Sequence, residues 1–452
     1  MEIVKLVKGK KKSFCILIGL LIFFLGMLAA YGVGVYNDSE QYITMHIHRE
    51  PLYPLFLAFF RVIFGEGYLT VVAVAQNILA AFSIYVLSEY LAERFGLRLW
   101  EQLVIIALQL APHLMTKFVS ALSIFLENSV MSEALCIPLF QFFMFFMFRM
   151  IFEHRKRDAA FALLFAFLLS MTRGQMMITI LMWMVMVLFQ MVINRKYRCI
   201  ILPVVAVIAV FGLRSLSVHL YNYAVTGYFM GNTYGKVNTL TNVIYACDEE
   251  DGSVFEEGSL EREFFDRFYA EADEITANYK YGGDSFTTRV QHLEDYHDML
   301  KFQVLEADLS AYYFGLGQID YYEQSSMSDE MAGIMIKALL PECFGQWLYD
   351  YVLLCTYGFV RSIAVVHPLI NWVALLLYMI AVGLALWQLY RRKRSDAAWA
   401  MGVALLFITA NVCATSLTIM CLSRYMIYGF SAFYIALFLL AREWIQNSKD
   451  IQ

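Results

Sequence analysis

The sequence predicts an all-α polytopic membrane protein with about ten transmembrane helices, outward-facing interfacial helices and a small, mostly helical outer domain. The first observation is composition: of 452 residues, 60% are hydrophobic and only 16% are charged, whereas soluble domains carry roughly 25% charged residues. The second is that apolar runs of about 20 residues, the length that crosses a bilayer, recur along the chain. The third is one long polar segment, residues 218–343, which holds 23 Asp/Glu and 7 Lys/Arg.

The apolar runs divide the chain into two transmembrane modules around an acidic domain. We expect an N-terminal module (1–217) with seven spans, an acidic extracytoplasmic domain (218–366) and a C-terminal module (367–452) with three spans. The first run follows a basic segment but is too long for a signal-peptide core, so we interpret it as an uncleaved span. The predicted spans lie at about 14–36, 68–91, 101–116, 129–148, 157–172, 175–193, 199–217, 367–390, 397–414 and 421–441.

The distribution of basic residues in the connecting loops predicts the orientation. One set of loops carries 20 of the 34 Lys/Arg residues, including the clusters at 195–198 and 391–394. Loops rich in Lys and Arg stay in the cytoplasm. Both termini are therefore expected to be cytoplasmic in a multi-pass cell-membrane protein, with the active site on the extracytoplasmic face.

Two apolar segments are predicted to lie on the membrane surface. Residues 52–64 form a run too short to cross, and a span at 344–360 would invert the charge pattern of the following loop. Within the acidic domain, Ser326–Asp329 resembles a capping box that would start a helix. Cys247 and Cys343 both fall in this domain, and the sequence leaves open whether they form a disulfide.

Two carboxylates follow the first span, in the first outer loop (37–66). Asp38 and Glu40 lie two residues apart in "YNDSEQ". A carboxylate at the membrane surface can take a proton from an incoming hydroxyl, and a second nearby acid raises its proton affinity. The alternative is that both acids only cap the next helix.

Basic residues at the outer ends of the spans are candidates for binding a phosphate. Arg offers a planar fork of donors that matches phosphate oxygens. "HIH" also supplies half of a metal site, but two histidines without a third ligand are a weak signal. The sequence therefore assigns no certain cofactor and leaves a divalent metal open. The candidate phosphate ligands are His48, Arg49, Arg173 and Arg424.

The stretch "NDSEQYITMHIHREPLYPLFLAFFRVIFG" resembles the first outer loop of the GT-C superfamily of membrane glycosyltransferases. It is most similar to the branch that contains protein O-mannosyltransferases and the lipid A aminoarabinose transferases. "SVMSEALCIPLF" resembles the family's Ser/Thr-Glu at the outer start of a span, and "SRYMIYGF" its last-span Arg-Tyr. "MTRGQ" resembles its Arg-Pro turn, although Gly174 replaces the proline. The acidic domain matches no family motif.

The resemblance implies a reaction and a site. It implies inverting transfer of a sugar from a polyprenyl-phosphate carrier to an extracytoplasmic acceptor, which is a lipid, a glycan or a protein. Asp38 or Glu40 would be the base, and the basic residues named above would bind the donor phosphate. The substrate cleft would include Glu133, Tyr53 and His46. Membrane lipids are further expected partners, and nucleic acid is not.

Two alternatives remain open at this point. A polysaccharide polymerase or ligase that uses polyprenyl-diphosphate glycans typically places arginines in one large outer loop, but here that loop is acidic. A lipid-linked sugar flippase or transporter predicts inverted repeats and spans interrupted by Gly or Pro. The chain has only seven prolines, and those inside spans follow no matched pattern.

Overall fold

A computed structural model describes residues 2–120, 123–195, 200–392 and 395–449. Helices connected by short turns make up most of this part of the chain, which contains no β-strand beyond a single isolated bridge. The helices are α1 (Glu2–Tyr31), α2 (Ser39–Ile43), α3 (Leu52–Phe64), α4 (Tyr68–Phe95), α5 (Leu99–Phe118), α6 (Glu133–Glu153), α7 (Lys156–Thr172), α8 (Ile178–Ile193), α9 (Ile201–Thr226), α10 (Gly235–Ala246), α11 (Leu260–Glu274), α12 (Phe286–Met299), α13 (Glu306–Gly315), α14 (Tyr321–Glu342), α15 (Phe344–Ile363), α16 (Pro368–Arg392), α17 (Asp396–Thr418), α18 (Ser423–Met426) and α19 (Tyr428–Lys449).

The helical membrane architecture predicted from composition is confirmed. Within the described ranges, seven helical segments are long and apolar enough to cross a membrane. Three further predicted spans correspond to α5, α7 and α19, which are shorter or carry charged residues in their terminal turns. The count of ten therefore stays a prediction. Parts of the basic clusters at 195–198 and 391–394, used above for orientation, lie outside the described residues.

The short apolar run at 52–64 forms its own helix, α3, as the sequence predicts. A 3₁₀ turn at Gly65–Gly67 separates it from the long helix α4. Gly65 adopts a φ of +60°, a conformation that glycine reaches without steric cost. One flank of α3 packs on α4, while Phe59, Val62 and Ile63 are more than half exposed. The helix thus presents an apolar face outside the protein core.

The loop after α1 is fixed to the segment before α6 by the isolated bridge. The Gly34 N–H donates to the Asn128 carbonyl, and the Val130 N–H donates to the Gly34 carbonyl, each at 2.9 Å. A Cβ at Gly34 would lie 2.7 Å from the Tyr36 ring, so a larger residue here would have to displace that side chain. This pairing brings the acids after α1 next to the start of α6.

Helices α10 to α15 form an inserted domain (residues 227–366) with its own hydrophobic core, around Phe264, Phe265 and Phe268. The predicted boundary at 218 falls within α9, which continues to Thr226. The capping-box prediction at 326–329 is wrong: these residues lie inside α14, which Asp320 caps by accepting from two backbone N–H groups. Cys247 and Cys343 are buried free thiols in the core.

Candidate functional site

Asp38 lies between two arginines from distant parts of the chain. It precedes α2, where its Oδ1 accepts from Arg49 Nη2 at 2.9 Å and its Oδ2 accepts from Arg424 Nη1 at 3.1 Å. Burial raises the pKa of Asp38, but the guanidinium groups of Arg49 and Arg424 outweigh it and hold that pKa below its ordinary value. Asp38 is therefore a stable carboxylate in this arrangement and a weak base.

Glu40, the second predicted acid, points elsewhere. Its residue is exposed, and α2 places it on a different face from the partially buried Asp38. Its side chain makes no hydrogen bond with the described part of the chain, and its backbone carbonyl accepts from Thr44. The two acids therefore do not form a pair, and the structure separates Glu40 from the cluster around Asp38.

A second ion pair lies at the start of α6. Arg173 Nη1 donates to Glu133 Oε1 at 2.6 Å and to Ser132 Oγ at 3.1 Å. Glu133 is 1% exposed. A charge this deeply buried is tolerated only with a partner and hydrogen bonds, which Arg173 supplies.

Hydroxyl groups join the two ion pairs into one network. Arg49 donates to Tyr42 Oη at 3.3 Å, and Tyr42 Oη lies 2.9 Å from Ser132 Oγ. On the other side, Arg424 donates to Tyr425 Oη at 2.9 Å. Five residues predicted for the site, from four separate segments, thus form one continuous cluster: Asp38, Arg49, Glu133, Arg173 and Arg424.

A cavity of about 600 Å³ opens beside this network. Arg49 and Arg173 line it on one side, and α9 and the inserted domain complete it with Arg214 and Tyr234. Asp38 is not part of the lining. Such a cavity, with several guanidinium groups along its wall, suits an anionic group of a ligand.

Glu50 lines the cavity and was not predicted from the sequence. Its Oε1 accepts a hydrogen bond from Arg214, while its Oε2 is buried and accepts no well-formed hydrogen bond from the described part of the chain. Burial raises the pKa of Glu50 to about 7, although Arg214 acts in the opposite direction. A Cβ at position 174 would lie 3.1 Å from Glu50 Oε1, so Gly174 leaves room for this carboxylate.

The two histidines lie next to the cavity but are not cations at neutral pH. Burial, with help from His46, Arg49 and Lys301, lowers the pKa of His48 to about 3. Burial and Arg49 also lower the pKa of His46. His48 lines the cavity as a neutral ring, which offers a ligand a hydrogen bond or a stacking surface, and its role as a phosphate ligand stays a prediction. Within the described ranges, no group of three or more His, Cys, Asp or Glu side chains is arranged to hold a metal ion.

Tyr53 does not line the cleft as predicted. It is fully buried under the loop, where its hydroxyl donates to Gln76 at 2.8 Å. Gln76 in turn donates to the carbonyls of Glu127 and Ser129. Tyr53 therefore supports the segment that carries the start of α6, and does not reach the cavity.

Sequence reasoning missed Glu50, Arg214, Tyr42 and Ser132. Glu50 lies within the loop sequence quoted above. Nothing in that sequence indicates that its side chain points towards Arg214 of α9. Arg214 lies within the apolar run that forms α9 and belongs to none of the motifs described above. The available signal was an Arg inside an apolar run, since such a charge usually faces a polar partner.

Comparison with protein-family models, with curated proteins and with solved structures found no match. A functional assignment for this chain therefore depends on its own geometry and on the short motifs that resemble the GT-C superfamily.

Proposed function

We propose that this protein is a GT-C-type glycosyltransferase that moves a sugar from a polyprenyl-phosphate carrier to an acceptor outside the cytoplasm, with inversion at the anomeric carbon. The observation that carries the proposal is the cluster of arginines and carboxylates around a cavity at one end of apolar, membrane-length helices. Such a cluster at the membrane surface fits a substrate with a charged head and a lipid tail.

The surroundings of the cavity support an amphiphilic substrate. Arg49, Arg173 and Arg214 line it, and guanidinium groups form two-pronged hydrogen bonds with phosphate oxygens. The exposed apolar face of α3, with Phe59 and Val62, starts directly after Glu50 in the chain. A polyprenyl tail needs contact with apolar surface while its phosphate needs cations.

The reaction would be a single displacement. The acceptor hydroxyl oxygen attacks the anomeric carbon from the face opposite the phosphate, and a new glycosidic C–O bond forms. The bond from that carbon to the phosphate oxygen breaks, and the carrier phosphate leaves with the electron pair. A carboxylate of the protein takes the hydroxyl proton, and the arginines offset the charge that develops on the phosphate.

We assign the base to Glu50 and give Asp38 a positioning role, which revises the sequence-based choice of Asp38 or Glu40. A base is most effective when its pKa lies near the working pH, and burial raises the pKa of Glu50 to about 7. Asp38 holds Arg49 and Arg424 in place through one oxygen each. Glu40 is exposed and has no role in the proposal.

The test is transfer of a radiolabelled sugar from a panel of defined polyprenyl-phosphate sugars, with purified protein in nanodiscs. Cell-envelope material from a strain that lacks the protein supplies the acceptors. We expect label to move from the lipid to the acceptor fraction with wild type and with Glu40→Gln, the matched control. With Glu50→Gln or Asp38→Asn, transfer should fall at least about 100-fold. Transfer from none of the donors, or normal transfer by both of the latter variants, would refute the proposal.

A further inference from the structure

Lys301 brings a buried positive charge from the acidic inserted domain to the edge of the cavity. Only 3% of the residue is exposed. Its Nζ lies 3.4 Å from the centre of the Tyr234 ring and 4.4 Å from that of Phe302. Tyr234 lines the cavity, so the ammonium group packs against a ring that forms part of the cavity wall.

The backbone at this point is unusual on both sides of the contact. Lys301 lies in a π-helical turn, Leu300–Leu305, and π-helical turns occur frequently at functional sites. Tyr234 has a φ of +91°, which is strained for a residue with a side chain. Asp329 maintains that conformation by accepting from the N–H groups of Tyr234 and Lys236, each at 3.0 Å.

Tyr234 is held between the inserted domain and the first loop. Its other neighbour is the His48 ring, stacked at 4.4 Å with an angle of 20° between the planes. His48 directly precedes Arg49, which binds Asp38. The stack of Lys301, Tyr234 and His48 thus connects the domain to the residue next to the candidate phosphate site.

The charge of Lys301 is incompletely compensated. No carboxylate oxygen of the described chain lies within 4.0 Å of its Nζ. Glu306, Asp298 and Asp38 are close enough to favour its charge electrostatically, and Arg49 acts in the opposite direction. Burial raises the pKa of Glu306 and lowers that of Lys301, so it disfavours the charged form of both neighbours. A buried ammonium group without a paired anion is costly, and a ligand that brings an anion reduces that cost.

We propose that Lys301 is a substrate-positioning residue, whose ammonium group binds a phosphate oxygen of the ligand that enters the cavity. The proposal rests on the proposed function and deepens it, because it assigns part of the phosphate site to the inserted domain. The net negative charge of that domain would by itself predict that it repels a phosphate. The chemistry recognised is a phosphate group, whether attached to a lipid carrier or free.

The test measures binding and requires no turnover. Full-length protein in nanodiscs is titrated by calorimetry with farnesyl phosphate and, separately, with inorganic phosphate. We compare wild type with Lys301→Met and Lys301→Arg, and use Lys337→Met, an exposed lysine of the same domain, as the matched control. Loss of one charge-assisted contact should weaken binding by about 10- to 100-fold in Lys301→Met. Lys301→Arg should restore part of the affinity, and Lys337→Met should bind like wild type.

The two ligands separate the sources of the phosphate. Weaker binding of both supports recognition of the phosphate itself, and weaker binding of farnesyl phosphate alone supports recognition of a carrier-linked phosphate. Unchanged affinities in Lys301→Met overturn the inference, and so does a lower unfolding temperature with unchanged affinities, which would make the lysine a structural support only. If Lys301→Met is too unstable to titrate, Lys301→Gln is measured against the same criteria. If Lys301→Met binds farnesyl phosphate normally and Arg424→Ala does not bind it, the inference about Lys301 is overturned and the proposed function is not.

Discussion

Replacing Glu50 with Gln tests the assignment of the base through two independent measurements. The side chain keeps its size, so Arg214 still has an amide oxygen to bind, but no proton can be taken up. Raising the pKa from its ordinary 4.5 to about 7 corresponds to about 3 kcal/mol, at 1.36 kcal/mol for each tenfold change in proton affinity. That energy opposes ionisation of Glu50 in the folded protein.

The sign of the stability effect follows from the direction of the shift. Because the folded protein binds this proton more tightly than the unfolded chain, the stabilisation is complete below pH 4.5 and is lost as the pH rises through about 7. Wild type should therefore lose apparent stability over this window, measured by thermal unfolding in detergent. Glu50→Gln, which resembles the protonated form, should lose less and be the more stable protein above pH 7.

Catalysis should change in the opposite sense. If Glu50 is the base, single-turnover transfer by wild type rises with pH through about 7, and Glu50→Gln removes this rise and lowers the rate by about 10²–10⁴. Glu306→Gln is the control, because burial also raises the pKa of Glu306 to about 7. A rise near pH 7 that persists in Glu50→Gln, or that disappears in Glu306→Gln instead, would refute the assignment.

Three further predictions concern binding, stability and topology. Arg424→Ala should weaken binding of a polyprenyl-phosphate donor by about 1.5–3 kcal/mol. Arg424→Lys should restore only part of the affinity, because the planar fork of donors is lost. An unchanged affinity in a titration would mean that Arg424 only holds Asp38 and does not contact the donor. Glu127→Leu should lower the free energy of unfolding by about 1–3 kcal/mol, because its carboxylate lies 2.7 Å from His113 Nδ1 and the change leaves a fully buried polar ring without its neighbour. Replacing both with Leu should cost less than the sum, as measured by thermal unfolding. Externally added maleimide should label a cysteine at exposed Ser253 and spare one at exposed Arg98, and the reverse pattern would contradict the proposed orientation.

The helical architecture could be predicted because a long apolar segment in a bilayer must satisfy its own backbone hydrogen bonds, as an α-helix does. The break between α3 and α4 was also predictable, since the run before Gly65 is too short to cross and a glycine ends it. Apolar length did not identify where the domain begins, because α9 continues past residue 217 to Thr226. Local capping patterns were equally ambiguous: Asp320 caps α14 in preference to Ser326, which lies within that helix.

The sequence indicated most residues of the candidate site but not which of them contact each other. Asp38 and Arg424 are 386 residues apart, and no local pattern indicates that they meet. The chemical role of each acid depends on its burial and its neighbours. The sequence does not reveal that Glu50 lines the cavity or that Glu40 is exposed. Tyr53 shows the same limit, since its place in the loop does not reveal that its hydroxyl turns inward to Gln76.

The bridge between Gly34 and the segment before α6 has a consequence for protein engineering. Residues that lead to Asp38 and residues that lead to Glu133 share two backbone hydrogen bonds, so the two stretches form one module although about a hundred residues separate them. A chimera that takes only the first loop from another protein would combine two stretches that are not matched to each other. Grafting residues 32–50 together with residues 123–133 should preserve the distance between Asp38 and Glu133, whereas grafting either stretch alone should change it.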